Sequence, residues 1–386
     1  MQKLSLPSDG RGAAVGFSIG KMGYVGTGLN FSAGGALSDF WAYDPDTDSW
    51  TQVADFGGGP RSGAVGISIG DKGYLITGAD VTAGKQKDLW EYDPVANTWT
   101  QKADLPSTER NYATGFTIGN KGYLTTGYPQ SSGDLDDCWE YDPSTDSWTQ
   151  KADFAGGARS SALAFSIGNK GYVGTGYAGS QKKDFWEYNH VTDSWTQKAN
   201  VGTNPRSDGA AFALKGHGYM CSGVTPTGLS HDLLEYDTLA DTWTARTPLP
   251  GSGKEDPATF VVGDYAYVAT GYDNQFNQTT DLYQYTPDSF IATFENEIHQ
   301  LTQILVAANP LVDGGVITIF SKGDDLNIQL MNLEGKFITS VLFSKQYSSE
   351  EKTVFRFNKS NLAAGIYYLL IKEQEKLIAS SKVIIQ

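Results

Sequence analysis

Cysteine is scarce: Cys138 and Cys221 are the only two thiols in 386 residues. They cannot make the disulfide framework that staples small secreted scaffolds, and they do not decide the redox compartment. Histidine is equally thin. His190, His217, His231 and His299 stand apart, and no His-x-x-x-His or Cys-x-x-Cys spacing occurs, so a zinc site has little support and no metal or cofactor is expected. No apolar run approaches 18 residues, which excludes a spanning helix. Basic residues are outnumbered, 29 Lys plus Arg against 44 Asp plus Glu, for a net charge of -15. Residues 305–386 carry nine of the basic and eight of the acidic residues, so the negative charge belongs to the rest of the chain. A surface of that sign repels phosphate backbones and anionic lipid, and nucleic acid is not an expected partner; cations and neutral ligands fit better.

The N-terminus also lacks a charged segment followed by an apolar one, since Met1-Gln2-Lys3 leads straight into patterned sequence. An exported form is therefore expected to have lost its signal. What is abundant is glycine, 45 residues or about 12% against a usual ~7%. Aromatics reach 12%, which argues for a packed core rather than disorder.

The glycines and aromatics recur in a pattern. Arg11, Arg61, Arg110, Arg159, Arg206 and Lys254 follow one another at spacings of 50, 49, 49, 47 and 48. Thirteen residues after each stands a Tyr (Tyr24, Tyr74, Tyr123, Tyr172, Tyr219, Tyr267), opening a short apolar stretch that ends in Thr-Gly or, at Ser222-Gly223, Ser-Gly. An Asp-apolar-x-x-Tyr segment comes next, from Asp39–Tyr43 in the first unit to Asp281–Tyr285 in the sixth. Five units then carry a Trp: Trp50, Trp99, Trp148, Trp195 and Trp243. Short β-prone runs punctuated by Gly, Asp, Pro and Asn read as four antiparallel strands per unit. One such sheet cannot bury both faces alone, so six must stack, and radial stacking closes them into a propeller.

These residues resemble the kelch family. The opening Arg, the Gly ending the second strand, the Tyr of the third strand and the spaced Trp stand where a kelch blade has them, over residues 2–290. The usual Gly-Gly doublet is Thr-Gly or Ser-Gly here, a departure at one position. A Trp, Arg or Asp that every blade repeats is read as serving the blade, by packing between neighbours or by pairing, rather than as a ligand contact. The first residues, Gln2-Lys3-Leu4-Ser5-Leu6-Pro7, match Gln101–Pro106 after Trp99, while the sixth unit lacks a Trp. Residues 2–5 are therefore expected to supply the outer strand of the last blade.

Past Pro287 the repeat stops. Residues 291–304 read as a connector, and 305–386 alternate apolar and polar positions at 316–320, 326–331, 353–357 and 366–371, which predicts a small Ig-like β-sandwich. Asn309-Pro310, Asp313-Gly314-Gly315, Asn332–Lys336, Leu362–Tyr367 and Lys382–Ile385 together resemble the C-terminal sorting domain of type IX secretion substrates, type A-like. That resemblance implies a removed signal peptide, periplasmic transit, contact with the secretion machinery, and release or attachment at the outer-membrane surface.

In a meander, the connection into the first strand and the one between strands two and three share one end. That Arg-bearing face collects Asn111, Tyr112, Ser160, Ser207, Asp208, Glu255 and Asp256, with Tyr128, Tyr177 and Tyr272 just after the second-strand glycines. Unlike residues on a uniform frame are where specificity lives. Asn111, Tyr112, Tyr128, Ser160, Tyr177, Ser207 and Tyr272 are the candidate ligand contacts, and tyrosine rings with hydroxyls and carboxylates suit a neutral glycan. The expected role is a binding or interaction module, for carbohydrate first and a protein ligand otherwise. Galactose-oxidase-like relatives of the kelch family hold a radical-copper site, whose His, Tyr and Cys set is not reproduced here. Other kelch relatives are mutarotases or epimerases acting on sialic acid; under that alternative Glu255, Asp256 and Asp208 are the candidate proton carriers. The acidic turns at Asp44–Asp48 and Asp142–Asp146 lack the glycine and terminal Glu of a calcium loop and read as turn formers.

Overall fold

A computed structural model describes residues 1–287 apart from Val81, Ser132 and Ser252, together with strand segments between 303 and 385. The chain divides into two units, Met1–Thr286 and Pro287–Gln386. The connector expected over 291–304 lies outside the described residues as far as position 302, and His299 with it.

The first unit is an all-β propeller of six four-stranded antiparallel sheets. Blade 1 runs from the axis outward through Val15–Ile19, Met22–Gly26, Phe40–Asp44 and Ser49–Val53. The inner strands of blades 2 to 6 are Val65–Ile69, Thr114–Ile118, Leu163–Ile167, Ala210–Leu214 and Ala258–Val262. Successive side chains of a strand point to opposite faces, and each inner strand uses this alternation. Val15, Phe17 and Ile19 are buried between blades, while Gly16 and Ser18 face the axis. Small axial residues in all six blades leave a central channel of about 420 Å³. Gly16 is required there: a Cβ would stand 2.5 Å from the Thr259 carbonyl oxygen of blade 6.

Aromatic packing and a reciprocal pair of hydrogen bonds join neighbouring blades. The Trp99 ring meets Phe40 and Phe56 of blade 1 at centroid distances of 5.1 Å each. Its indole N–H donates to the Ala54 carbonyl at 3.1 Å, and the Ala54 N–H donates back to Asn97 at 2.8 Å. The same exchange links Trp148 and Asp146 to Ala103, Trp195 and Asp193 to Ala152, and Trp243 and Asp241 to Ala199. The repeated tryptophans therefore sit between blades.

At the last junction the partner comes from the N-terminus. Gln2–Lys3 pairs antiparallel with Tyr283 and Leu282 as the outer strand of blade 6. Trp50 donates to the Leu4 carbonyl at 2.8 Å, and the Leu4 N–H donates to Asp48 at 3.0 Å, so Leu4 takes the place that Ala54 holds one blade on. Leu6 is buried beneath this segment.

Each blade also carries a buried ion pair. The five arginines are 0–2% exposed and Lys254 is 4% exposed. Arg11 meets both oxygens of Asp39 at 2.7 and 2.8 Å and donates to the Thr27 carbonyl, while the Trp41 indole N–H fills a remaining acceptor site at 2.7 Å. Burial works against the Asp39 charge, but the bonds from Arg11, Ser8 and Trp41 outweigh it and hold the pKa down at about 2. Arg61–Asp88, Arg110–Asp137, Arg159–Asp184, Arg206–Asp232 and Lys254–Asp281 repeat the pair.

The described strands of the second unit form two four-stranded antiparallel sheets. One has the order Gln303–Val306, Val316–Phe320, Thr353–Asn358, Leu342–Ser348; the other has Phe337–Ile338, Leu326–Asn332, Gly365–Glu373, Lys376–Ile385.

Deleting residues 1–7 removes the outer strand of blade 6, both Leu4 bonds and the Leu6 contact. At about 1 kcal/mol per hydrogen bond and ~2 kcal/mol for one buried Leu, the loss is about 5 kcal/mol. The expected fall in Tm by calorimetry is about 10 °C; an unchanged Tm contradicts closure by this segment.

Candidate functional site

The residue two positions after each repeat Arg or Lys meets its counterparts at the axis. Ala13, Gly63, Tyr112, Ser161, Asp208 and Asp256 all have left-handed backbone, with φ between 51° and 60°. This reversal aims each N–H at the preceding blade and each carbonyl at the following one. Gly63 donates to Ala13, Tyr112 to Gly63, Ser161 to Tyr112, Asp208 to Ser161 and Asp256 to Asp208, and Ala13 donates to Asp256, at 2.8–3.3 Å. Six backbone hydrogen bonds thus close head to tail around the axis.

A second ring surrounds the first. Gly28, Gly78, Gly127, Gly176, Gly223 and Gly271 each donate to the carbonyl of the repeat Arg or Lys of the next blade, closing with Gly271 to Arg11, at 2.7–2.8 Å. The residue before each of these glycines is also left-handed, at φ 57° to 64°, and it is Thr or Ser where the family's doublet has glycine. The chain meets the same backbone demand there with a less suitable residue.

The backbone of the inner ring is uniform, but its side chains are not. Blades 1 and 2 contribute a methyl group and a hydrogen; blades 3 to 6 contribute Tyr112, Ser161, Asp208 and Asp256. These surround a cavity of about 140 Å³ that shares Ala14, Ala64, Ala113, Ala162 and Gly209 with the channel wall, so it forms the channel mouth. Tyr112 reaches from blade 3 to interact with Asp256 of blade 6, and Asp256 also interacts with Asp208 and Glu255. Ser161 and Ser207 hydroxyls donate to Asp208.

The electrostatics follow from this grouping. Burial, then the charges of Asp208 and Glu255, push Asp256 well above the usual carboxylate range. Burial raises Asp208 despite its two serine donors, and burial with Asp208 raises Glu255. The Tyr112 hydroxyl is pushed up, by Asp256 foremost. Like charges at close range cannot both ionise cheaply, so the Asp208 charge works against ionising Asp256. Among the described residues no Lys or Arg forms an ion pair with Asp208, Glu255 or Asp256. Nor does any group of three or more His, Cys, Asp and Glu side chains there offer a metal-binding arrangement.

The other sequence candidates stand one step farther from the axis. Asn111 pairs with Tyr128, and Ser160, Ser207 and Glu255 form bridges with Tyr177, Val224 and Tyr272. Tyr128 and Tyr177 are 49% and 44% exposed and do not line the mouth; Lys85 lies 3.5 Å above the Tyr128 ring. Tyr272 is buried, with its ring over Gly12, where a Cβ would stand 2.0 Å away. Ser161 is a mouth residue that sequence reasoning missed in favour of its neighbour Ser160. The alignment of Tyr112, Asp208 and Asp256 at the second position after the repeat residue was the available signal.

The remaining titratable candidates are taken up by the frame. His231 hydrogen-bonds with the Leu249 carbonyl at 2.8 Å. Cys138 and Cys221 are buried, and burial raises both thiols, Cys221 to about 12. Asp44 accepts the Asp46 N–H, and Asp146 accepts the Tyr141 hydroxyl and the Ala103 N–H, so these carboxylates act as turn and junction acceptors.

Blade number, strand order and the buried Arg–Asp pairs define a six-bladed kelch propeller. Residues 19–223 match the family model described as the KLHDC2/KLHL20/DRC7 Kelch-repeats domain, and the chain belongs to the kelch-repeat family. Residues 309–386 match the secretion system C-terminal sorting domain, which implies passage through the periplasm to secretion or cell-surface anchoring, and interaction with the secretion machinery. No curated protein matches the chain. A solved structure titled "Structure of YjhT" is similar at 18% identity and a TM-score of 0.64, over 74% of this chain and 97% of that one; at that identity the likeness concerns the fold. Among the described residues no helix is long and apolar enough to cross a membrane.

A carboxyl whose folded pKa is raised binds its proton more tightly in the folded state. Its contribution is greatest below the unfolded value of ~3.9 and is lost as pH rises through the folded value. Asp256→Asn is therefore expected to raise Tm at pH 7, by about 2 °C for each kcal/mol of relief, with the gain shrinking toward pH 4. Thermal scans from pH 4 to 8 check this; a variant less stable than wild type at pH 7 contradicts it.

Proposed function

We propose that this secreted propeller is a binding module whose ligand, a carbohydrate, sits on the Arg-bearing face at the channel mouth. The supporting observation is the break in symmetry: six identical backbone positions carry a methyl, a hydrogen, a phenol, a hydroxyl and two carboxyls around one polar cavity. A frame that needs only Ala or Gly at a site gains no stability from an unpaired acid there, so the acids are assigned to the ligand. Tyr112 and Ser207 lie at or directly behind the mouth. Asn111, Tyr128, Ser160, Tyr177 and Tyr272 form the surrounding rim, where a ligand larger than one sugar would extend. The domain scheme that goes with this reading is a propeller over 1–290 closed by residues 2–5, a connector over 291–304 and a sorting domain over 305–386. Its two sheets are read as packing into an Ig-like sandwich.

The closeness of Asp208 to Asp256, with burial raising both carboxyls, favours a second reading, a sugar mutarotase or epimerase in which this pair and Glu255 exchange protons with the ring oxygen or a ring carbon. A glycan array followed by calorimetry tests the first reading; absence of any glycan binding at millimolar concentration removes it in favour of a protein ligand. Proton NMR of anomerically pure sugars tests the second: faster equilibration with protein, abolished by Glu255→Gln, supports an enzyme, and an unchanged rate removes it.

A further inference from the structure

The blade 6 to blade 1 seam borders the mouth and carries exposed aromatic surface on a braced support. Phe31 is 67% exposed in the loop after the second strand of blade 1, and its ring centroid lies 6.2 Å from that of Tyr272. Phe276, 73% exposed, belongs to the corresponding loop of blade 6. Phenyl rings left in water on loops are often mobile, but here the two loops are tied together. Gln278 accepts the Phe31 N–H at 3.2 Å and donates to the Leu29 carbonyl at 2.9 Å, and the Asn30 side chain donates to the Gly10 carbonyl. Tyr272, buried behind Phe31, links this aromatic patch inward, bridging to Glu255 through the backbone and resting on Gly12 beside the ring residue Ala13. The surface therefore runs from exposed rings to a group of carboxyls that forms no ion pair with Lys or Arg.

We propose that this seam and the mouth together recognise an amine-bearing glycan, with pyranose faces on the exposed rings of Phe31 and Phe276 and the ammonium group on Asp208 and Asp256. The inference rests on the carbohydrate reading and adds the charge class of the ligand. Two features argue for it independently. Rigid, exposed rings offer flat apolar area at low entropic cost, which suits the C–H face of a sugar. Among the described residues no Lys or Arg pairs with these carboxyls, and an ammonium supplies that counterion in a cavity that the Tyr112 ring also lines. A cation beside Asp256 favours its charged form, so binding releases to the buffer any proton that the carboxyl holds.

The test is isothermal calorimetry on the full chain at pH 6, in two buffers of different ionisation enthalpy, with a glucosamine tetramer and its fully N-acetylated counterpart. The tetramer is expected to bind at least tenfold more tightly than the acetylated form and to release protons to the buffer. Asp256→Asn should abolish the proton release and weaken tetramer binding about tenfold. Phe31→Ala, a change at an exposed side chain, should weaken both oligomers about fivefold and leave the proton release intact. Equal affinity for the two oligomers overturns the ammonium site and leaves the carbohydrate reading standing. Tetramer affinity unchanged in both variants overturns the assigned surface. Binding of neither oligomer, with or without binding of an oligolysine peptide run as a control, overturns the inference, and the glycan array alone then decides the carbohydrate reading.

Discussion

Six backbone hydrogen bonds, passed from Ala13 round to Asp256 and back, set the geometry of the Arg-bearing face. The ring makes a severe demand on conformation, since every member must be left-handed, and almost none on side-chain identity. Gly63 meets the demand with little cost, Asp208 and Asp256 tolerate it better than most side chains, and Ala13, Tyr112 and Ser161 meet it under strain of about 1 kcal/mol or more each. What varies around the ring is therefore free of the fold's requirements and open to selection by a ligand.

The frame beneath the ring tolerates that strain because each blade is held by interactions that stay constant. A bidentate guanidinium, Arg110 on Asp137 for example, donates to the Thr126 carbonyl as well, and the Trp139 indole N–H donates to the same Asp137 carboxylate. Removing one partner of such a buried pair costs about 3–5 kcal/mol. The Trp exchange then couples neighbouring blades at five of the six junctions, blade 6 having no Trp to repeat it against blade 5, and Leu4 carries that coupling across the point where the chain would otherwise leave the circle open. Stability resides in repeated groups and specificity in unrepeated ones, a division that the acids at the mouth express most sharply.

Much of this was legible in the sequence because the blade is a local unit repeated at a near-constant spacing. The Arg, the Tyr thirteen residues later and the Asp of the third strand mark the same structural positions each time. The match of Gln2–Pro7 to Gln101–Pro106 pointed to a displaced outer strand. The mouth was less legible. Left-handed backbone two residues past the repeat Arg breaks the period-two alternation of a strand, so alternation does not separate Ser160 from Ser161, and only the shared offset of Tyr112, Asp208 and Asp256 from the repeat residue does. The approach of Tyr112 to Asp256 joins residues far apart in the chain, and no local pattern encodes such a meeting. Tyr128 and Tyr177, chosen for their ring chemistry and their place after a glycine, lie outside the mouth because the bridge to Asn111 or Ser160 sets them on the rim.

Residue-level amide hydrogen exchange tests the closed ring most directly, because local opening exposes the amides it frees. The account predicts that Ala13, Gly63, Tyr112, Ser161, Asp208 and Asp256 exchange as one slow set, with Ala13 as protected as the others. Rapid exchange at Ala13 while the other five stay slow would contradict it, since the circle would then be open between blades 6 and 1.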